Sequence, residues 1–371
     1  MVMVRYLIMW RSRVKTLFTV CIFFLLTTLS MAAEPAAVVY DGAVLTEDVT
    51  WRGPILVRGF VVVAPHATLR IEPGAVIRFA GTAAQQLPTL IIQGRLHAAG
   101  TSERPIFLAS NLSKPMRGSW GGVVFLTTEK GNLLEHCRIE NAEIGIDIRY
   151  SKVALTSVSI MQAQTALLSH DGIVQISGGT ISDSETGIEI YNSEFDGTDM
   201  TIASCQRGCI FNKSAAVLVA SKIINNQQTG FEADECRLKI TGGEFSGNAF
   251  GAQIKGGEGQ IFLSRFLRNG QTALHLQGSR IKIERSLFAD NLQDALRTED
   301  GQALFLYNAF ASNGGYNLYN AGCEVVSARQ NWWGGTDPSL IRQKIYSVLQ
   351  NKNVGAVQVF PWLNEKPQLM Q

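Results

Sequence analysis

The sequence is poor in charged residues and has no basic stripe. Asp, Glu, Lys and Arg make up 17% of the 371 residues, whereas about a quarter is usual in soluble proteins. Four of the 33 basic residues and none of the 31 acidic ones lie in the first 33 positions, which leaves 29 basic against 31 acidic residues beyond them. This balance argues against a nucleic-acid partner, because such proteins carry a basic patch or stripe.

Motifs for cofactors, metals and nucleophilic catalysis are also missing. There is no CxxC pair and no Cys/His cluster with the spacing of a zinc site. The Gly-rich stretch 256–259 lacks the spacing of a phosphate-binding loop, and no nucleophile elbow supports a serine-based triad. We therefore expect no metal and no cofactor. Ca²⁺ is expected only if the protein is an enzyme that acts on an acidic glycan.

A repeat of about 20 to 22 residues organises the chain. Alternating apolar residues follow the start of each repeat, and the starts are Gly145, Thr165, Gly187, Gly208, Gly230, Gly251, Thr272, Asp294 and Tyr316. A fixed period of this length predicts a solenoid. A leucine-rich repeat shares the period, but its Leu/Asn consensus is absent. Alternation, as at Ile188 and Ile190, is typical of strands with one buried face, so about three short strands per period predict an all-β parallel β-helix.

Asparagine recurs at one corner of successive repeats. Asn248, Asn269, Asn291 and Asn313 each lie three residues before the start of a repeat. Because Asn tolerates left-handed backbone and forms local hydrogen bonds, this spacing predicts a ladder of side-chain amides. The alternative is a polar binding stripe.

The cysteines do not form a clear disulfide framework. Five follow the first 33 residues, so at least one is unpaired; they are Cys137, Cys205, Cys209, Cys236 and Cys323. Cys236 and Cys323 lie four coils apart, about 19 Å at strand spacing, which is too far for a disulfide. Cys205 and Cys209 flank one corner and are the only plausible pair. The alternative is that the cysteines are small buried apolar residues.

The first 33 residues have the layout of a secretory signal peptide. A basic region precedes an uncharged apolar stretch at 17–29, and small residues lie just before Glu34. The apolar stretch is short for a membrane span, and an uncleaved anchor is the alternative. We expect an exported protein, periplasmic or secreted to the cell surface, with membrane contact only through this segment.

The remaining chain divides into three segments. Residues 34–80 are expected to form an N-terminal cap and the first coil, 81–330 the coils of the β-helix, and 331–371 a C-terminal cap. Caps are needed because the end of an open β-helix exposes unpaired strand edges. The polar loop at 109–119 is expected to project from the coils.

The C-terminal segment breaks the repeat. Asp337 is placed as a helix N-cap with Pro338 at the first helical position, and apolar spacing predicts a helix to about Asn351. A last strand is expected at 354–360. Three tryptophans are expected to plug the end of the core, with a platform for sugar stacking as the alternative: Trp332, Trp333 and Trp362.

Several short motifs resemble those of bacterial secreted right-handed parallel β-helix repeat proteins. They are Leu69-x-Ile71-Glu72-Pro73-Gly74, Gly94-x-Leu96-x-Ala98-x-Gly100-Thr101, Pro105-Ile106-x-Leu108, Trp120-Gly121-Gly122-Val123-x-Phe125, and Asn331-Trp332-Trp333-Gly334 through Pro361-Trp362-Leu363. The resemblance implies a single-stranded right-handed helix over nearly all of the chain after the signal peptide. The wider class includes polysaccharide lyases, hydrolases, epimerases and carbohydrate-binding modules, so the resemblance also implies a link to polysaccharides.

Outward positions of the repeats supply the candidate site residues. One position places acids on alternate coils, about 9.6 Å apart and too far for one Ca²⁺ to bridge; it contains Asp147, Leu167, Glu189, Ile210, Glu232 and Gln253. Further along each coil we expect a more polar stripe. Its candidate catalytic residues are His170, Asp171, Asp234 and Glu235, and its candidate binding residues are Arg149, Tyr150, Tyr191, Asn192, Lys213, Glu232 and Lys255. The alternative is a solvated face with mixed charges.

Two classes of function follow from these observations. The leading hypothesis is an extracytoplasmic scaffold or binding protein for an extended carbohydrate, because no compact acid cluster or complete catalytic motif is present. The second is a polysaccharide lyase or epimerase that acts on an acidic glycan. A periplasmic accessory or assembly protein is a third alternative.

Overall fold

Three short parallel strands per repeat wind the chain into a β-helix with three faces. The computed structural model describes residues 36–81, 86–128 and 130–368. The predicted signal peptide lies outside the described residues. Within these ranges no helix is long and apolar enough to cross a membrane.

Face 1 is a 14-stranded parallel sheet with one strand from each coil. Its strands are Val49–Trp51, Thr68–Ile71, Arg95–Ala99, Asn132–Glu135, Lys152–Thr156, Ile173–Ser177, Glu194–Thr198, Ala215–Val219, Arg237–Thr241, Glu258–Phe262, Arg280–Glu284, Leu304–Leu306, Val326–Ser327 and Val357–Gln358.

Face 2 consists of the shorter strands that follow those of face 1. They are Val76–Ala80, Ile106–Ser110, Cys137–Glu140, Ser159–Met161, Thr180–Ser182, Thr201–Ala203, Lys222–Ile224, Glu244–Ser246, Arg265–Leu267, Leu287–Ala289 and Ala309–Ala311.

Face 3 consists of the strands that open each repeat. They are Thr89–Ile92, Gly122–Leu126, Ile144–Arg149, Thr165–His170, Thr186–Tyr191, Arg207–Asn212, Thr229–Asp234, Phe250–Lys255, Leu274–Gln277, Leu296–Glu299, Leu318–Asn320 and Ile345–Tyr346. In the first coils, Val38–Leu45 pairs with Pro54–Val63, and the latter strand continues from face 2 into face 3 and joins the two faces into one sheet.

Alternate side chains from all three faces fill one continuous core. On face 3, Ile188 and Ile190 are fully buried, as the alternation predicts. An aromatic stack runs along the inside of face 2 and ends on Trp333, with ring centroids 4.8, 4.8, 5.1 and 4.6 Å apart; its members are Phe245, Phe266, Phe288, Phe310 and Trp333. Trp333 is therefore a core residue, whereas Trp332 and Trp362 are half-buried.

The predicted asparagine ladder is present and lies inside the protein. Each side-chain oxygen accepts a hydrogen bond from the backbone N–H of the asparagine one coil earlier, at 2.9 to 3.2 Å. The ladder contains Asn226, Asn248, Asn269, Asn291 and Asn313, all nearly fully buried. Because these amides do not reach the surface, the ladder is structural and the alternative of a binding stripe is wrong.

The other two corners contain similar buried ladders. At the corner between faces 1 and 2, the backbone N–H of Ser264 donates to the Ser286 hydroxyl, and that of Ser286 donates to Asn308 Oδ1. At the corner between faces 3 and 1, the N–H of Ser193 donates to the Ser214 hydroxyl, and that of Ser214 donates to Cys236 Sγ at 3.5 Å. Cys236 thus replaces a serine in a corner ladder.

The C-terminal segment differs from the sequence prediction. Helix α1 (Pro338–Gln343) begins where expected, and the Asp337 carboxylate accepts from the Ser339 N–H at 2.8 Å. It ends at Gln343 rather than near Asn351, because Ile345–Tyr346 pairs with Leu318–Asn320 as a further face 3 strand. Backbone pairing to the preceding coil overrides the helical spacing. The last strand is only Val357–Gln358, shorter than the predicted 354–360.

All five described cysteines are free thiols, so Cys205 and Cys209 do not pair. Four of them are buried, and Cys323 is exposed. Burial raises the pKa of Cys137 to about 12 and that of Cys205 to about 11, and it also raises the pKa of Cys209. These thiols serve as small apolar residues.

Removing one amide from the asparagine ladder should destabilise the fold. Asn269→Ala leaves the Asn248 N–H and the Phe245 carbonyl oxygen, which Asn269 binds at 3.1 and 3.0 Å, without partners. We expect a loss of about 2–4 kcal/mol in unfolding free energy, since each orphaned buried group costs about 1–3 kcal/mol. Equilibrium denaturation measures it. Gln271→Ala, an exposed change in the same coil, is the control, and equal midpoints for both variants would contradict the structural role.

Thiol reactivity should separate Cys323 from the other described cysteines. Only thiolates react rapidly, and burial with a raised pKa suppresses them at Cys137, Cys205 and Cys209. We expect the native protein to modify Cys323 quickly with a chromogenic disulfide reagent and the buried thiols only after denaturation. Peptide mapping after brief labelling identifies the site. Fast native labelling of Cys205 that persists in Cys323→Ser would contradict the burial.

Candidate functional site

The outer side of face 3 carries two columns of side chains, defined by the pairing register between coils. Column 1 contains Asp147, Leu168, Glu189, Ile210, Glu232, Gln253, His275, Arg297, Tyr319 and Tyr346. Column 2, two residues further along each strand, contains Arg149, His170, Tyr191, Asn212, Asp234, Lys255, Gln277 and Glu299. Successive members lie about 4.8 Å apart because they sit on neighbouring strands.

One predicted member of column 1 is wrong. Leu168, not Leu167, pairs with Asp147, whereas Leu167 pairs with Ile146 and is fully buried. The sequence alignment of that repeat was displaced by one residue, and in a strand such a slip exchanges the inner and outer faces.

The predicted polar stripe combined residues from two different places. His170 lies in column 2, between Arg149 and Tyr191. The other members sit at the turn that follows column 2 and have positive φ angles of 47 to 52°; they are Tyr150, Asp171, Asn192, Lys213 and Glu235. Because left-handed backbone ends each face 3 strand here, these residues form a separate row of the turn, in which Lys213 and Glu235 make an exposed ion pair at 3.8 Å.

Side chains at the N-terminal end of the columns bind one another. Arg149 Nη2 lies 2.7 Å from Asp147 Oδ2, and the Asp147 side chain is only 2% exposed. The His170 and Tyr191 rings stack in parallel with centroids 4.7 Å apart. Arg149 and His170 therefore have partners within the protein.

Further along, the columns border a surface groove of about 400 Å³. It brings together four of the predicted residues, namely Tyr191, Glu232, Asp234 and Lys255. Its other polar members come from the same two columns and were not predicted as site residues: Asn212, Gln253, His275 and Gln277. Their outward place in the alternation was the available signal. From Tyr191 to Gln277 the groove crosses four coil intervals, about 19 Å at strand spacing.

Charges in and beside the groove are partly paired. Lys255 Nζ lies 4.0 Å from Asp234 Oδ2, and Arg207 Nη2 lies 3.7 Å from Glu189 Oε1. Burial raises the pKa of Tyr191, and the nearby Glu189 carboxylate adds to this shift. These pairs are at least partly exposed, so each adds little stability and remains open to exchange with a ligand.

His275 is the most shielded titratable group of the groove. Burial lowers its pKa, the positive charge of Arg297 lowers it further, and Glu299 opposes both. The Glu299 carboxylate is 3.7 Å from Nε2, which is too long for a hydrogen bond. Nε2 is buried and has no hydrogen-bond partner in the described part of the chain. The imidazole is therefore neutral near pH 7 and has a free ring nitrogen.

Among the described residues no three His, Cys, Asp or Glu side chains converge to hold a metal ion. The register explains this for column 1, where Glu189 and Glu232 are separated by Ile210. The groove instead offers an aromatic edge, amides, carboxylates, an ammonium group and an imidazole in a line. Such a line donates and accepts hydrogen bonds along an extended ligand.

Comparison with known families agrees with the fold. A model described as a pectate-lyase like β-helix domain matches residues 43–153, and a model described as a right handed β-helix region matches residues 186–332. The chain is a right-handed parallel β-helix, as the repeat and the motif resemblance predicted. No curated protein matches the sequence significantly.

Solved structures with a similar course of the chain share little sequence with it. The periplasmic alginate epimerase AlgG is 11% identical over 85% of this chain and 76% of its own, with a TM-score of 0.40. The A-module of the mannuronan C-5 epimerase AlgE4 of Azotobacter vinelandii is 10% identical over 87% and 89%, with a TM-score of 0.40. Tailspike protein 3 of bacteriophage CBA120 is 11% identical over 89% and 56%, with a TM-score of 0.34. At these identities the likeness concerns the fold alone.

Replacing Arg149 should affect stability, because Arg149 neutralises the buried Asp147 carboxylate. We expect Arg149→Ala to cost about 1–3 kcal/mol of unfolding free energy, the penalty for an orphaned buried acceptor. Half of the Arg149 side chain is exposed, so the loss stays below that of a fully buried ion pair. Equilibrium denaturation measures it, with Lys152→Ala on face 1 as the control. Adding Asp147→Asn should recover part of the loss, and an unchanged midpoint in Arg149→Ala would refute this role.

Proposed function

We propose that this protein is an exported β-helix that binds an extended carbohydrate chain in the face 3 groove. The observation that supports this most directly is the continuity of the groove across consecutive coils. A ligand with repeating units can meet one set of polar side chains per coil, because the coils recur at a fixed spacing. The signal-peptide pattern of the first 33 residues supports export.

The chemistry of the groove suits sugars. Hydroxyl groups both donate and accept hydrogen bonds, and Asn212, Gln253 and Gln277 offer both functions through their amides. Tyr191 adds an apolar ring edge with a polar hydroxyl, a combination that is common in binding sites. The family model for a pectate-lyase like β-helix, which matches residues 43–153, agrees with a carbohydrate ligand.

A polysaccharide lyase or epimerase is the second candidate. It is favoured by one observation: His275 has a lowered pKa and a free, buried ring nitrogen beside the groove. A neutral imidazole near pH 7 can accept a proton from a bound sugar. In this alternative His275 is a better candidate base than His170, because His170 is stacked against Tyr191.

Glycan binding is tested with a panel of acidic and neutral polysaccharides, by affinity electrophoresis and calorimetry, with and without Ca²⁺. We expect binding to at least one polymer and a loss of about tenfold in Asp234→Ala, equivalent to about 1.4 kcal/mol. Asp196→Ala removes an exposed acid from face 1 and should bind normally.

Turnover is measured on the same samples, by the absorbance of unsaturated uronate products and by deuterium exchange into the sugar. Binding without turnover supports the binding protein. Turnover that is lost in His275→Ala would favour the enzyme. If no polysaccharide binds, or if Asp234→Ala and Asp196→Ala behave alike, the proposed groove is wrong and an assembly role with a protein partner becomes the better hypothesis.

A further inference from the structure

Column 1 continues beyond the groove into a cluster of aromatic and cationic side chains. The Arg297 guanidinium carbon lies 4.5 Å from the centre of the Tyr319 ring. The Tyr319 and Tyr346 rings stack at 4.1 Å with an interplanar angle of 2°, and Tyr316 packs edge-on against both. Since His275 borders the groove and is the register partner of Arg297, this cluster is directly continuous with the groove.

Arg297 differs from the other cations of face 3. Arg149, Arg207 and Lys255 each have a carboxylate within 4.0 Å. In the described part of the chain, no carboxylate lies within that distance of Arg297, whose partner is the Tyr319 ring. A guanidinium stacked on an aromatic ring stays charged and keeps its in-plane N–H groups free to bind a planar anion.

The neighbouring imidazole provides a second hydrogen-bonding group. His275 Nε2 is buried and has no hydrogen-bond partner among the described residues. Buried polar atoms are nearly always hydrogen-bonded, so one without a protein partner suggests a place for a ligand atom. His275 and Arg297 occupy adjacent strands, so their side chains leave the sheet about 4.8 Å apart.

We infer that Arg297 and His275 form a subsite for the carboxylate of an acidic sugar, and that the glycan held in the groove contains uronate residues. This inference rests on the proposed function. Arg297 donates two N–H groups to the carboxylate in the paired geometry that guanidinium groups favour, and His275 Nε2–H donates to one of the same oxygens. The tyrosine hydroxyls border the subsite on the C-terminal side.

The other charges of this region allow an anion to bind. The Glu299 carboxylate faces His275 at 3.7 Å, while the Asp294 carboxylate accepts a hydrogen bond from the Tyr316 N–H at 2.8 Å. Asp234 is paired with Lys255, and Glu232 lies three coils from Arg297, about 14 Å at strand spacing. The positive end of column 1 is therefore at Arg297, where a ligand carboxylate meets the least repulsion.

The test compares polygalacturonate and alginate with their carboxyl-reduced forms, which keep the chain and lose the charge. We expect the wild-type protein to bind at least one acidic polymer about tenfold or more tightly than its reduced form, and Arg297→Gln to lose this preference. Arg297→Lys keeps the charge without the paired N–H geometry and should show an intermediate preference. Arg280→Gln removes an exposed arginine from face 1 and should leave the preference unchanged. Circular dichroism and thermal midpoints verify that each variant is folded.

Three results would overturn the inference. Wild-type protein that binds acidic and reduced polymers equally, or Arg297→Gln that keeps the preference, would eliminate the subsite, while a loss of binding in Asp234→Ala would still support the glycan groove. An equal effect of Arg280→Gln and Arg297→Gln would point to general charge attraction instead of a built subsite. A protein that binds none of these polymers and no neutral polysaccharide would remove the groove and the subsite together.

Discussion

Backbone hydrogen bonding between successive coils is the interaction on which the rest of this structure depends. Each strand pairs in parallel with the equivalent strands of the coils before and after it, so a residue stacks directly on its counterpart in the next coil. One coil alone could not bury its apolar side chains. The corners extend the same principle, because their buried asparagine, serine and cysteine side chains bind backbone N–H groups of the neighbouring coil. Stability is therefore shared along the axis.

The same register that builds the core also arranges the surface. Every outward position becomes a column, and the composition of a column changes slowly along the helix axis. Column 1 passes from the paired Asp147, through the acid and amide of Glu232 and Gln253, to His275 and Arg297. A polar groove with a cationic end results from substitutions that leave the inward alternation untouched. Recognition of an extended polymer needs no separate domain in such an architecture.

The fold was largely predictable from the sequence, because its signals are local and repeated. The period, the alternation of Ile188 and Ile190 and the spacing of Asn248 and Asn269 all report single-coil geometry, and repetition makes each of them unambiguous. Prediction was wrong where one repeat deviates. A one-residue shift placed Leu167 on the outer face, and the helix expected to reach Asn351 ends at Gln343, because a further strand pairs there. In both places pairing with the neighbouring coil decides the conformation.

By itself the sequence determined the solenoid, its three strands per coil, the buried asparagine corner and the general side of the coil on which polar residues collect. It could not determine which of those residues meet, since residues about 21 positions apart become neighbours only when the register is set to within one residue. Tertiary structure separated the turn residues Tyr150 and Asp171 from column 2 and paired Arg149 with Asp147. It also placed His275, with its unpartnered nitrogen, beside the unpaired Arg297. Burial and ion pairing depend on distances between coils, and a repeat pattern does not contain those distances.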